Sequence, residues 1–238
     1  MALRAVADGI FADVGSAPDT LALHGWGRNR SDWTSVLDPD RTVAVDLPGF
    51  GASPPPPSAW GGHGYADALR PVLELFDRPP VVVGHSFGGR VAVCLAADGA
   101  DLAGLVLLGV PLLRAESSGK PATGYRVMRW AHRRGLVGDE RMEATRQKHG
   151  SADYRAASGV MRDILVRAVN ESYARELASI DLPVRMVWGS EDSAAPAEMA
   201  AAAAGMLSDG HLDVVDGVGH DLHLARPDLV RTAVESLR

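Results

Sequence analysis

The stretch Val81-Val82-Val83-Gly84-His85-Ser86-Phe87-Gly88-Gly89-Arg90-Val91-Ala92-Val93 constrains the fold more than any other. A β-branched run, a serine between glycines, and a small-residue run suited to a helix follow one another without a linker. A strand that turns so sharply into a helix strains its central residue. It also leaves no room for side chains two positions away, hence Gly84 and Gly88. The Ser86 hydroxyl is then expected to stand clear at the carboxyl end of a sheet.

The rest of the 238-residue chain supplies that sheet. Residues 3–7 and 10–14, split by Asp8-Gly9, predict a hairpin, and 20–23, 42–45, 105–108, 184–188 and 212–215 predict further short strands. With the strand ending at Gly84 these make eight. Helical runs alternate with most of them. A polar loop at 28–33 enters a helix capped by Ser31. Apolar positions 65, 69, 72, 73 and 76 form a helical stripe that Pro71 should distort or restart, and 197–206 and 227–237 are further helices. Strands alternating with helices predict an α/β fold with a mostly parallel sheet covered on both faces. One segment breaks the alternation: 125–134, 139–148, 152–168 and 171–178 all predict helices. Residues 112–180 are therefore expected to form a helical insertion, and 1–111 with 181–238 the core.

A serine hydroxyl is a poor nucleophile near neutral pH and needs a base within hydrogen-bond reach, oriented by a third group. Asp192 follows the strand ending at Trp188-Gly189, and His220 follows the last strand in Gly217-Val218-Gly219-His220. Both are expected at the same sheet edge as Ser86, the edge where open α/β sheets bind ligands. Developing negative charge on a carbonyl oxygen needs N–H donors. The Phe87 amide is one candidate, and Trp26, in the loop after the 20–23 strand, is the other.

His24-Gly25-Trp26-Gly27, Asp46-Leu47-Pro48-Gly49-Phe50-Gly51, Gly84-His85-Ser86-Phe87-Gly88-Gly89, Trp188-Gly189 with Asp192, and Gly219-His220 together resemble the α/β-hydrolase superfamily. The resemblance runs from about residue 21 to the end, except the insertion, which looks like that family's variable cap. It implies the α/β-hydrolase fold, with Ser86 as nucleophile, His220 as general base, Asp192 as its orienter, and the Trp26 and Phe87 amides as the oxyanion hole. It also implies cofactor-free acyl transfer from a small ester or thioester to water, with carboxylester cleavage as the first expectation. Carbon–carbon hydrolases, lactonases and lyases of the superfamily share these motifs. A ligand-binding receptor on this scaffold would be expected to show a broken triad, which the sequence does not.

Other residues carry competing explanations. Glu191 is a rival carboxylate beside Asp192. His223, three residues after His220, raises a metal site, but no further ligand cluster accompanies it and none is expected. His85 and His24 read as structural, and the lone Cys94 as a buried thiol. The 112–180 segment holds 13 basic and 8 acidic residues while the remainder holds 11 and 22. That imbalance fits solvated helix faces, or else an anionic substrate steered by its arginines with Arg28 or Arg30. The net charge of −6 argues against nucleic acid as a partner. Residues 1–20 lack an apolar leader core and no apolar run reaches membrane-spanning length, so a cytoplasmic protein without membrane contact is expected.

Overall fold

A computed structural model describes residues 2–114, 132, 134, 137, 138, 141 and 152–238. Eight strands form one sheet: β1 (Ala2–Ala7), β2 (Ile10–Val14), β3 (Thr20–Leu23), β4 (Thr42–Asp46), β5 (Val81–His85), β6 (Gly104–Leu108), β7 (Val184–Gly189) and β8 (Gly210–Val215). Their order is β1-β2-β4-β3-β5-β6-β7-β8. β1 pairs antiparallel with β2 and β2 antiparallel with β4; from β4 onward every pairing is parallel. β3 to β6 are buried on both faces, which is why they are continuous apolar or small-residue runs. The chain steps from β3 to β4 in one direction and then crosses to β5 on the other side. That reversal opens a crevice at the carboxyl ends of β3 and β5.

Helices cover both faces. α1 (Gly62–Leu69) and α2 (Phe87–Ala97) lie on one side. There Tyr65, Leu69, Val91 and Leu95 join Leu21, Leu23, Val82 and Leu105 in one core. The chain then forms α3 (Ala152–Ala156), α4 (Gly159–Ala168), α5 (Ala174–Ala178), α6 (Ala197–Ala204), α7 (Leu222–Ala225) and α8 (Pro227–Glu235). Leu222 of α7, with Val230 and Val234 of α8, packs with Trp33, Val81, Val83 and Val106 on the opposite face. Among the described residues no helix is long and apolar enough to cross a membrane.

Several expectations about helices are corrected. Pro71 does restart the chain, but as a 3₁₀ turn over Arg70–Leu75, because proline cannot donate the next α-helical hydrogen bond. Residues 30–33 form a 3₁₀ turn capped by Asn29, whose side chain accepts from the Ser31 N–H; Ser31 is not the cap. The helix expected over 152–168 is two, because Ser158 is extended and Gly159 takes φ +51. The apolar stripe survives in the second piece, where Ile164, Leu165 and Ala168 are buried. The helices expected over 125–134 and 139–148 lie outside the described residues apart from His132, Arg134 and Arg141.

One buried guanidinium ties the inserted segment to the sheet. Arg90, on α2 four residues past Ser86, is 9% exposed and donates to the Pro111 carbonyl at 2.9 Å and the Ala168 carbonyl at 2.6 Å. The Tyr173 N–H adds a bond to the Leu112 carbonyl at 2.9 Å. Both stems of the insertion are thus fastened beside the helix that begins at the elbow. Arg90→Met keeps the aliphatic stem and strands two acceptors, so unfolding in urea should show a loss of roughly 1–3 kcal/mol. An unchanged midpoint would contradict this anchoring role.

Candidate active site

Two glycines set the turn at Ser86. A Cβ on Gly84 would come within 2.5 Å of the Gly89 Cα, and one on Gly88 would meet the Leu23 and His24 carbonyls. Ser86 between them has φ 49 and ψ −110, and among the described residues it is the one non-glycine with positive φ. Such a conformation costs about 1–3 kcal/mol and persists only where surroundings impose it. Here they do: the Ser86 N–H donates to the Leu108 carbonyl at 2.9 Å, and the Gly88 N–H to the His24 carbonyl at 3.1 Å.

The loops after β7 and β8 bring Asp192 and His220 to that serine. The Ser190 N–H donates to Val215 and the Glu191 N–H to Val218, lashing the two loops together. His220 Nδ1 lies 2.8 Å from Asp192 Oδ2, and His220 Nε2 lies 3.1 Å from Ser86 Oγ. Opposite a carboxylate Nδ1 donates, so Nε2 is left to accept from the serine hydroxyl. The other Asp192 oxygen accepts from the Ala194 and Ala195 N–H groups, each at 2.9 Å, and its side chain is fully buried. Glu191, the rival carboxylate, is exposed. Gly109 at the end of β6 makes room for the pair, since a Cβ there would stand 2.9 Å from Asp192 Oδ2 and 3.1 Å from His220 Nδ1.

The two expected amides lie on either side of this elbow contact. Phe87 opens α2, so its N–H has no acceptor within the helix. Neither it nor the Trp26 N–H donates to any acceptor among the described residues. Gly25 allows the Trp26 loop to approach, because a Cβ there would reach 2.7 Å from His85 Nδ1 and 3.4 Å from the Ser86 Cβ. His24 supports the loop from inside, as expected of a packing residue. Its Nδ1 donates to the Gly25 carbonyl at 2.7 Å, its Nε2 accepts from the Leu47 N–H at 3.0 Å, and burial pushes its pKa down. The Trp26 ring meets Phe50 at 5.0 Å and Phe87 at 5.3 Å, both edge-to-face, so the wall on this side is aromatic.

Arg28 and Arg30 are already committed. Arg30 pairs with Asp13 at 3.1 Å and Asp46 at 2.6 Å; Arg28 pairs with Asp32 and, at 3.2 Å, with Asp221. Steering of an anion therefore draws no support from these two.

His85 reads as structural in the sequence, and nothing there marks Asp32 as a partner of this layer. His85, Asp221 and His223 place ligand atoms within 4.8 Å of one another. The His85 and His223 rings pack against each other at 4.1 Å with planes 35° apart. Asp221 is also held by Arg28. The expectation that no further ligand groups accompany His223 is thus corrected, and the imidazoles of His85 and His223 pack as a column behind His220. No motif marks it, since His85 comes from β5, Asp221 from the loop after β8 and His223 from α7.

A model of the alpha/beta hydrolase family matches residues 21–233. Among curated proteins, an esterase of Mycobacterium tuberculosis, Rv0045c, is 42% identical over 106 residues, covering 40% of this chain and 34% of that protein. A pimeloyl-[acyl-carrier protein] methyl ester esterase of Vibrio vulnificus is 38% identical over 95 residues, covering 37% of this chain and 34% of its own. The matched stretches thus span about a third of either relative. Among solved structures, an esterase from Exiguobacterium antarcticum superposes with a TM-score of 0.71 at 18% identity, covering 96% of this chain and 95% of that one. Est816, described as an N-acyl homoserine lactone degrading enzyme, gives 0.71 at 21%, covering 95% and 96%. These two likenesses are of fold.

Asp32 is the electrostatic pivot behind the site. Burial works against its charge, but His223 at 3.6 Å and the Arg28 guanidinium outweigh that and hold its pKa at about 2, down from 3.8. A depressed carboxylate stabilises the fold above its unfolded pKa and loses that contribution as pH falls through the folded one. Wild type should therefore exceed Asp32→Asn by roughly 1–2 kcal/mol near neutral pH, with the gap closing between about pH 4 and 2. Urea unfolding at several pH values measures it; a gap that stays constant into acid would count against the pairing.

Proposed function

This chain belongs to the alpha/beta hydrolase family, and from that premise we propose that it is a serine hydrolase that cleaves a small ester or thioester through an acyl-enzyme. The observation that carries the reading is the unbroken hydrogen-bond chain Ser86–His220–Asp192, at 3.1 and 2.8 Å. The partial likeness to two esterases supports the substrate class.

In this mechanism His220 Nε2 takes the Ser86 proton as Oγ bonds to the substrate carbonyl carbon. The electron pair moves to the carbonyl oxygen, which is received by the Trp26 and Phe87 N–H groups. Asp192, pinned by two backbone amides, holds the imidazole in the required tautomer and stabilises it once protonated. The tetrahedral adduct then collapses, and His220 passes its proton to the departing alkoxide or thiolate. Water repeats the sequence with the same base, releases the acid and restores Ser86. Residues 112–180 serve as a cap over the core 1–111 and 181–238, with Met161 of α4 reaching the Gly49 turn beside Phe50.

A receptor on the same scaffold would have no use for an activated serine, so a fluorophosphonate probe separates the two. Wild type should label at Ser86, and Ser86→Ala should lose both labelling and hydrolysis of short p-nitrophenyl esters. Asp192→Asn should keep the fold and lose about 10³–10⁴ in kcat. Folded wild type that neither labels nor turns over would sink the proposal.

A further inference from the structure

We infer that His85, the residue before the nucleophile, is the positioning residue of the general base, acting through the main chain of His220. The inference rests on the proposed role of His220. His85 Nε2 lies 3.1 Å from the His220 carbonyl oxygen. A carbonyl can only accept, so Nε2 carries the proton and Nδ1 is bare.

The surroundings favour that one state of the ring. His85 is 1% exposed, and its Nδ1 is buried with no hydrogen-bond partner among the described residues. Gly25 closes over Nδ1, where a Cβ would come within 2.7 Å, so a proton there would find no acceptor among the described residues. Burial, with the neighbouring His223 and His220, pushes the His85 pKa well below the ordinary imidazole value. The ring itself is clamped: His223 stacks on it at 4.1 Å and His220 tilts against it at 4.9 Å. His223 is itself fully buried between Trp33 and His85, with Asp32 3.6 Å from its Nε2.

The consequence is geometric. Asp192 fixes the His220 ring through Nδ1, and the Glu191–Val218 bond ties its loop to the loop after β7, but neither refers that loop to the Ser86 turn. His85 supplies that reference from the backbone side, and it is covalently joined to Ser86. Nucleophile and base are therefore referred to the same two-residue piece of elbow. Arg28 reinforces the register by holding Asp221, the next residue of the loop. A shift of the base by about 1 Å can cost on the order of 10²-fold in rate, so this register matters to catalysis and not only to packing.

Gln and Met at position 85 fill similar volume, and only Gln can donate to the His220 carbonyl. His85→Met should lose about 10²-fold in kcat with KM within about twofold, and His85→Gln should recover at least about tenfold of the loss. Both should lower Tm, since both remove the stacked ring, so the kcat difference between them and not the Tm carries the test. Equal kcat in the two variants, or a loss confined to KM, would overturn the inference. A second measurement needs no variant: ¹⁵N spectra of wild-type imidazoles should show His85 protonated at Nε2 and bare at Nδ1 from about pH 5 to 8. The opposite tautomer, or a charged ring in that range, would overturn it equally. Fluorophosphonate labelling of wild type keeps the two claims apart. An unlabelled wild type defeats the hydrolase reading, whereas a labelled one with Gln and Met alike defeats only this inference.

Discussion

The close approach of the elbow backbone to the ends of β3 and β6 is the constraint on which the rest depends. Gly88 must come near enough for its N–H to bond the His24 carbonyl, and Ser86 near enough to bond Leu108. Any Cβ at Gly84 or Gly88 would occupy that space. These two bonds place Ser86 between the strand that leads to Trp26 and the strand whose end, at Gly109, receives Asp192 and His220. The positive φ of Ser86 is thus imposed from both sides by parallel-sheet geometry.

Around this centre the loops are braced by internal hydrogen bonds more than by contact with solvent-facing groups. The Asp46 carboxylate accepts from the Arg30 and Ala52 N–H groups at 2.8 and 2.7 Å, closing the turn that carries Phe50. Ser53 Oγ donates to the Asp46 carbonyl at 2.6 Å and accepts from the Phe11 N–H at 3.0 Å, fixing the same turn to the hairpin. His24 spans from its own loop to Leu47. An aspartate, a serine and a histidine, each fully or almost fully buried, therefore make one scaffold for the aromatic wall, and each has its polar atoms satisfied.

The parts of the site legible in the sequence are those announced by local chemistry. Ser86, Asp192 and His220 each follow a short strand with a glycine within three residues, so strand order carries them to one edge, and the structure brings the three together. The eight strands were legible for the same reason, as compact apolar runs between turn residues. His85, His223 and Asp32 were not, because their relation is purely tertiary: positions 85, 223 and 32 share no periodicity and no spacing that a motif could register. Helix ends were also poorly legible. Ser31 and Asn29 are equally good capping types, and only the φ/ψ of Asn29 decides between them. The break at Ser158-Gly159 likewise depends on a glycine taking a conformation that the apolar stripe does not record.

How the insertion is fastened bears on how freely it can change. Arg90 bonds main-chain carbonyls at Pro111 and Ala168, acceptors that any residue would present. Side chains between those points can therefore vary without loss of the anchor, provided the two stems return to the same place. The peripheral ties differ in kind. His63 of α1 lies 2.8 Å from Asp98 at the end of α2 and 3.2 Å from Glu176 of α5, and the Asp98 hydrogen bond above all raises its pKa. A raised histidine pKa means the tie holds in acid and fades as pH climbs through the folded value. With His63 half exposed, its contribution is small beside that of a buried guanidinium with two backbone acceptors. Attachment to the elbow helix is thus pH-independent and indifferent to the acceptors' side chains, while adjustment is left to the rim.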